Sequence, residues 1–178
     1  MRRHASAPAI AGLFALAATP AAAQDPPTPC DDIAGFHRLD FWLGSWDVRV
    51  DGETAGFNRI EKILDGCAVT EHWRGAGGGE GHSLFFYHPV TDTWKQVWVT
   101  RFATSPGGLK EKTLVQTLDD GSLRFQGVTP LPDGDSILDR TTLTHLAGGR
   151  VRQVIEVSRD GGDTWETTFD GLYGRAGA

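Results

Sequence analysis

Sulfur is scarce in this chain. Two cysteines, Cys30 and Cys67, and one methionine stand among 178 residues. Two cysteines so far apart do not have the spacing of a metal site, and pairing them leaves no thiol for nucleophilic attack. No segment carries a sustained helical period, which argues against a helical domain. No block of like charges stands out as a tail. Basic residues are outnumbered, 17 against 23 acidic, for a formal charge of −6. An acidic surface argues against nucleic acid and anionic membranes as partners. The chain has no Gly-x-Ser-x-Gly and no Rossmann fingerprint, so serine-hydrolase and dinucleotide chemistry have no support. None of the histidines pairs at a His-x-x-x-His spacing, so no metal is expected.

What is present begins at the N-terminus. Arg2, Arg3 and His4 precede a stretch without charge from Ala5 to Ala23, with Ile10, Leu13, Phe14 and Leu16 at its centre. A basic start, an apolar middle and the small residues Ala21-Ala22-Ala23 form the pattern of a cleavable signal peptide over residues 1–23. Its apolar middle is short for a membrane anchor. The expected location is the periplasm or the exterior, with no membrane span after cleavage. Loss of Arg2 and Arg3 makes the remaining chain two charges more negative. Three prolines between Asp25 and Pro29 predict a disordered leader over residues 24–32. An oxidising compartment favours a Cys30–Cys67 disulfide, which would tie the leader to the second hairpin.

Residues 33–178 read as one domain. β-rich runs recur at Trp46–Val50, Thr54–Leu64, Cys67–Arg74, His82–His88, Trp94–Phe102, Lys110–Leu118, Ser122–Val128, Ser136–Leu146, Arg150–Ser158 and Trp165–Tyr173. Asp-Gly and Gly-Gly pairs between them supply the positive φ angles of tight hairpins. An all-β antiparallel meander of this length must hide its edges. Closure into an up-and-down barrel of eight to ten strands does so and leaves room for one small ligand. A two-sheet sandwich is the alternative. No internal repeat argues for a propeller. Ahead of the first strand, Ile33, Phe36, Leu39, Trp42 and Leu43 are spaced for one or two helical turns. They predict a short plug at one end, released into the strand by Gly44.

The segment Phe41-Trp42-Leu43-Gly44-Ser45-Trp46 resembles the Gly-x-Trp entry of the calycin superfamily, the lipocalins and fatty-acid-binding proteins. More closely it resembles a bacterial exported family of unknown function with a Phe-Trp-Leu-Gly-x-Trp start. Asn58-Arg59-Ile60-Glu61, Leu64-Asp65-Gly66-Cys67, Glu71 with Trp73-Arg74-Gly75, Gly81-His82-Ser83-Leu84, Trp94 with Gln96 and Trp98, Arg152-Gln153 and the stretch from Asp160 to Arg175 extend that resemblance. It implies a barrel but carries no activity over. It implies that Trp46 packs across the closed end beneath a basic residue, for which Arg175 is the candidate. Leu143 stands where the resemblance implies a tryptophan, and His72 where an acidic residue is common. If either lines the cavity, the ligand differs from that of the relatives.

Ser158 to Trp165 fits the Asp-box pattern known from sialidases. Its physics is that of a hairpin: Asp160 accepts from turn amides and Trp165 covers the turn. Five glycines between Gly75 and Gly81 lack the Lys-Ser/Thr of a phosphate loop and read as a loop at the barrel mouth. No cofactor is expected. Haem is the alternative to weigh, because nitrobindins hold haem in a small barrel through one histidine, and His72 or His145 is placed for that role. The other reading of each is a surface or hydrogen-bonded histidine.

Strand alternation nominates the interior. Cys67, Val69, Glu71 and Trp73 share a face, as do Trp94, Gln96 and Trp98, and Val151, Gln153, Ile155 and Val157. A Phe57, Arg59, Glu61 and Ile63 face would add Arg59. Glu71, Trp73, Gln96, Trp98, Gln153 and Arg59 are therefore the candidate ligand-binding residues. Buried polar groups must be paired, hydrated or given to a ligand. Three functions remain open: a barrel holding an apolar or amphipathic small molecule, a barrel enzyme of isomerase or cyclase type using buried Glu71, and a structural or interaction module with a filled interior.

Overall fold

The computed structural model describes residues 29–177. The signal-peptide pattern of residues 1–23 lies outside them, as does most of the expected leader. Ten strands follow one another: β1 Gly44–Val50, β2 Glu53–Ile63, β3 Ala68–Gly75, β4 Glu80–His88, β5 Thr93–Thr100, β6 Leu109–Thr117, β7 Leu123–Pro130, β8 Ser136–Leu146, β9 Arg150–Ser158 and β10 Glu166–Arg175. Each pairs antiparallel with its neighbour, and β1 pairs with β10 to close the barrel. All ten expected runs are strands, with ends moved by a few residues. The turn at Asp51-Gly52 shows the local cause, with φ of 50° and 85° at its two central residues. This is the geometry that lets a two-residue hairpin follow the twist of its strands.

The chain enters through three 3-10 turns, Cys30–Asp32, Ala34–His37 and Asp40–Trp42. The plug is thus built of 3-10 turns rather than one helix. Phe36, Leu39 and Trp42 are buried beneath the barrel. Trp94 Nε1 donates to Gly35 O at 2.9 Å, and Trp46 Nε1 donates to Trp42 O at 2.8 Å. Trp42 meets Phe85 edge to face at 5.5 Å, and Phe85 meets Phe125 at 5.6 Å. These rings form the apolar floor of one end.

At the closing seam, Trp46 on β1 lies opposite Arg175 on β10. The guanidinium sits 4.0 Å above the indole and donates to Leu43 O at 2.6 Å. Gly44 carries φ of 130°, and a β-carbon there would lie 2.2 Å from Arg175 Nη1. A side chain at residue 44 would displace the arginine from the ring.

Cys30 and Cys67 are joined, with Cα atoms 5.1 Å apart. The described end of the expected leader, Cys30–Asp32, forms a 3-10 turn joined to Cys67 by the bridge. Lys62 binds it further, reaching Asp31 at 3.3 Å and Asp40 at 3.1 Å. The Asp-box is a hairpin device. Asp160 accepts from the Thr164 amide and hydroxyl and from Ser158, and these bonds hold its carboxyl below the usual range. Trp165 donates to Gly162 O at 3.0 Å and carries the Arg140 guanidinium 3.8 Å above its ring.

The bridge spans 37 residues of sequence, and loop-closure entropy assigns such a crosslink about 4 kcal/mol. Thiol titration of the denatured, unreduced protein is expected to find no free cysteine. A Cys30→Ala/Cys67→Ala double variant should unfold at markedly lower denaturant and with a steeper slope, because the uncrosslinked denatured chain exposes more surface. Two titratable thiols, or an unmoved midpoint, would contradict this account.

Candidate functional site

Above the apolar floor lies a belt of buried polar side chains. Glu71 on β3 is at its centre. Ser83 Oγ on β4 donates to Glu71 Oε2 at 2.6 Å, and Asn58 Nδ2 on β2 donates to Oε1 at 2.7 Å. Gln96 Nε2 on β5 donates to Ser83 Oγ at 3.1 Å. The Tyr173 hydroxyl on β10 donates to Gln153 Oε1 on β9 at 2.5 Å and lies 3.4 Å from Asn58 Nδ2. One chain of hydrogen bonds thus runs Gln96, Ser83, Glu71, Asn58, Tyr173, Gln153. Tyr173 joins the two layers, since its ring packs 6.2 Å from both Trp42 and Trp46 in the floor. Among the described residues, Gln96 Oε1 and Asn58 Oδ1 are buried without a partner.

The facing wall carries charge. Lys112 on β6 is buried, donates to Thr141 Oγ1 on β8 at 2.6 Å and pairs with Asp139 Oδ1. Lys110 reaches the other oxygen of Asp139 at 2.5 Å. This pairing crosses β7 because the intervening inward residue is Gly127, opposite Asp139 in register. A β-carbon at Gly127 would lie 1.9 Å from Glu111 O.

Burial pushes the Glu71 carboxyl upward against its bonds to Ser83 and Asn58 and the charge of Lys112. Burial likewise lowers Lys112 to about 8, helped by Lys110 and opposed by Asp139 and Glu71. Tyr173 is raised, first by burial and then by the Glu71 charge.

Over this belt opens a cavity of about 240 Å³. Its aromatic walls are Trp73, Trp98 and Phe169. Each ring lies against a glycine: a β-carbon would come within 2.7 Å of Trp73 at Gly56, 2.4 Å of Trp98 at Gly81 and 2.4 Å of Phe169 at Gly171. The glycines let the rings lie flat on the wall, and the centre stays open.

Five of the six residues nominated by alternation, Glu71, Trp73, Gln96, Trp98 and Gln153, line this one cavity. Arg59 does not. Its side chain is 63% exposed and pairs with Glu61 at 2.6 Å on the outside. The inward face of β2 is Gly56, Asn58 and Ile60, so the assignment of that strand is inverted. Its cause is register: Asn58 lies between inward-facing Trp46 and Trp73, and a one-residue slip would turn every side chain over. Lys112, Asp139 and Thr141 were not nominated. Asp139 and Thr141 share a face with Leu143, and that alternation was the available signal. Lysine on a strand reads as solvent-facing, so Lys112 gave none.

The two positions that depart from the resemblance lie elsewhere. Leu143 is buried in the apolar floor. His72 faces outward, stacked on His82 at 4.2 Å. His145 is exposed and stacks on Phe41. Neither histidine offered for haem reaches the cavity. Among the described residues, His72, Glu80 and His82 form one group of metal-ligand types, with donor atoms within 4.8 Å of one another. It lies on the outer surface, where His72 already contacts Glu80 at 2.7 Å with Arg74 alongside at 3.8 Å.

No family model and no curated protein matches this chain. The fold rests on its own strand order, a closed ten-strand antiparallel barrel consistent with a calycin-like fold.

A carboxyl raised by burial favours a protonated folded state. From its ordinary pKa of 4.5 up to the raised folded value, the folded chain binds more proton than the unfolded one. Stability therefore falls as pH rises through that window. Glu71→Gln abolishes this slope, and its amide can donate to Asn58 Oδ1 once that amide turns over. The expected result is that the denaturation midpoint of the variant, relative to the native protein, climbs from pH 4.5 upward. A difference independent of pH would show that Glu71 titrates alike in both states.

Proposed function

We propose that the chain is an exported protein that holds a small amphipathic molecule in the barrel cavity. The observation that carries this reading is the cavity itself, walled by Trp73, Trp98 and Phe169 and floored by directed polar groups. Apolar contact area with a few fixed hydrogen-bonding groups is the usual make-up of a small-molecule site. A structural module would fill that space, whereas three inward glycines hold it open. Export is supported by the leader pattern of residues 1–23 and by the Cys30–Cys67 bridge, which suits an oxidising compartment. Among the described residues no helix is long and apolar enough to cross a membrane.

A second reading is favoured by one observation: Glu71, raised by burial, borders open space beside Lys112 at about 8. Such a pair suits proton transfer on a bound molecule. In that reading Glu71→Gln removes turnover of the bound molecule while retaining its binding.

Two measurements test the proposal. Native mass spectrometry of the protein as purified from its export compartment is expected to show a mature chain beginning at Gln24 and an adduct of small-molecule mass. The neutral probe phenylnaphthylamine should quench tryptophan fluorescence by entering beside Trp73 and Trp98. Ile155→Trp, which fills the cavity from β9, should weaken that quenching at least tenfold with the circular dichroism spectrum unchanged. Equal quenching by both proteins would place the probe outside the barrel and count against the reading.

A further inference from the structure

We propose that the ligand is a small organic acid, bound with its anionic head on Lys112 and Lys110 and its apolar body between Trp73 and Trp98. This rests on the ligand-binding reading above and assigns its chemical class.

The charged wall is unbalanced. Two ammonium groups share the single carboxylate of Asp139. An ammonium has three protons to donate. Lys112 donates one to Thr141 and forms an ion pair with Asp139, and Lys110 forms an ion pair with the other Asp139 oxygen. Both side chains line the cavity, Lys112 buried at its floor and Lys110 one-fifth exposed nearer the mouth. Unspent ammonium protons therefore face the same space at two depths. A charge-assisted bond from such a donor is about twice as strong as one between neutral groups.

The opposite wall does not cancel this. Both Glu71 oxygens already accept, from Ser83 and from Asn58. Burial also drives its carboxyl toward the neutral acid, which removes the charge that would repel an anion. A cationic ligand would lie beside two ammonium groups with no free carboxylate to offset their repulsion. Asp139 is committed to two lysines, and Glu71 is held by its neighbours. Above the lysines the walls are aromatic, so the head must be compact and the remainder apolar.

Three naphthalene derivatives of near-identical shape separate the possibilities on the native protein: naphthoate, naphthamide and naphthylmethylamine. Binding is read by tryptophan quenching and by the shift of the thermal midpoint. Naphthoate is expected to bind at least tenfold tighter than naphthamide, and naphthylmethylamine weakest. An amide that binds as well as the acid, or an amine that binds best, overturns the proposal while leaving the ligand-binding reading intact. Failure of all three to bind counts against both. The triple variant Lys110→Met/Lys112→Met/Asp139→Asn removes both ammonium groups and the carboxylate they share, so none of the three is left without its partner. It should lose at least tenfold in naphthoate affinity and keep its affinity for naphthamide. Equal losses for both compounds would mean that the three groups only shape the cavity, and would also overturn the assignment.

Discussion

The seam between β1 and β10 is the contact on which the rest of the barrel depends. Trp46 and Arg175 stand opposite each other there, one ring and one guanidinium, with the arginine tied to the plug at Leu43. Without that seam the sheet has two open edges, and edges recruit other strands. With it, the plug is pinned against the floor, and Trp42, Phe85 and Phe125 complete one apolar end. Gly44 belongs to the same contact, because a side chain there would occupy the arginine's place.

A closed end allows the other end to be polar. The floor supplies the buried apolar area that folding needs. The belt above it contributes little net stability, because desolvating Glu71, Lys112 and Asp139 offsets most of what their pairing returns. Its merit is direction. Each polar side chain is held through at least one of its atoms by a neighbour on an adjacent or next strand, so its orientation is set before any ligand arrives. That pre-organisation lowers the cost of binding.

Much of this was legible in the sequence. Ten β-rich runs and their Asp-Gly and Gly-Gly turns are local signals, and all ten became strands. The bridge followed from export and the presence of only two cysteines, the Trp46–Arg175 stack from the resemblance to calycins, and the Asp-box hairpin from its residue pattern. Alternation placed Glu71, Trp73, Gln96, Trp98 and Gln153 inward because apolar neighbours on their own strands marked the core side. On β2 the same rule misled. Phe57 and Ile63 suggested the inner face, yet Phe57 is 54% exposed. There the inner face is built of Gly56 and Asn58, which are small or polar because they must accommodate the Trp73 ring and the Glu71 carboxyl.

The sequence by itself determined where the β-rich runs and their tight turns fall, because turns, alternation and residue type act over a few residues. Only the tertiary structure decided which polar groups meet. Lys112 and Asp139 lie 27 residues apart on strands that do not touch. They are brought together because Gly127 leaves the strand between them bare. The cavity likewise exists because three glycines seat three rings contributed by other positions. A pattern along one strand records which face is inward. It does not record what the facing strand leaves out, and in this barrel the site is made from those omissions.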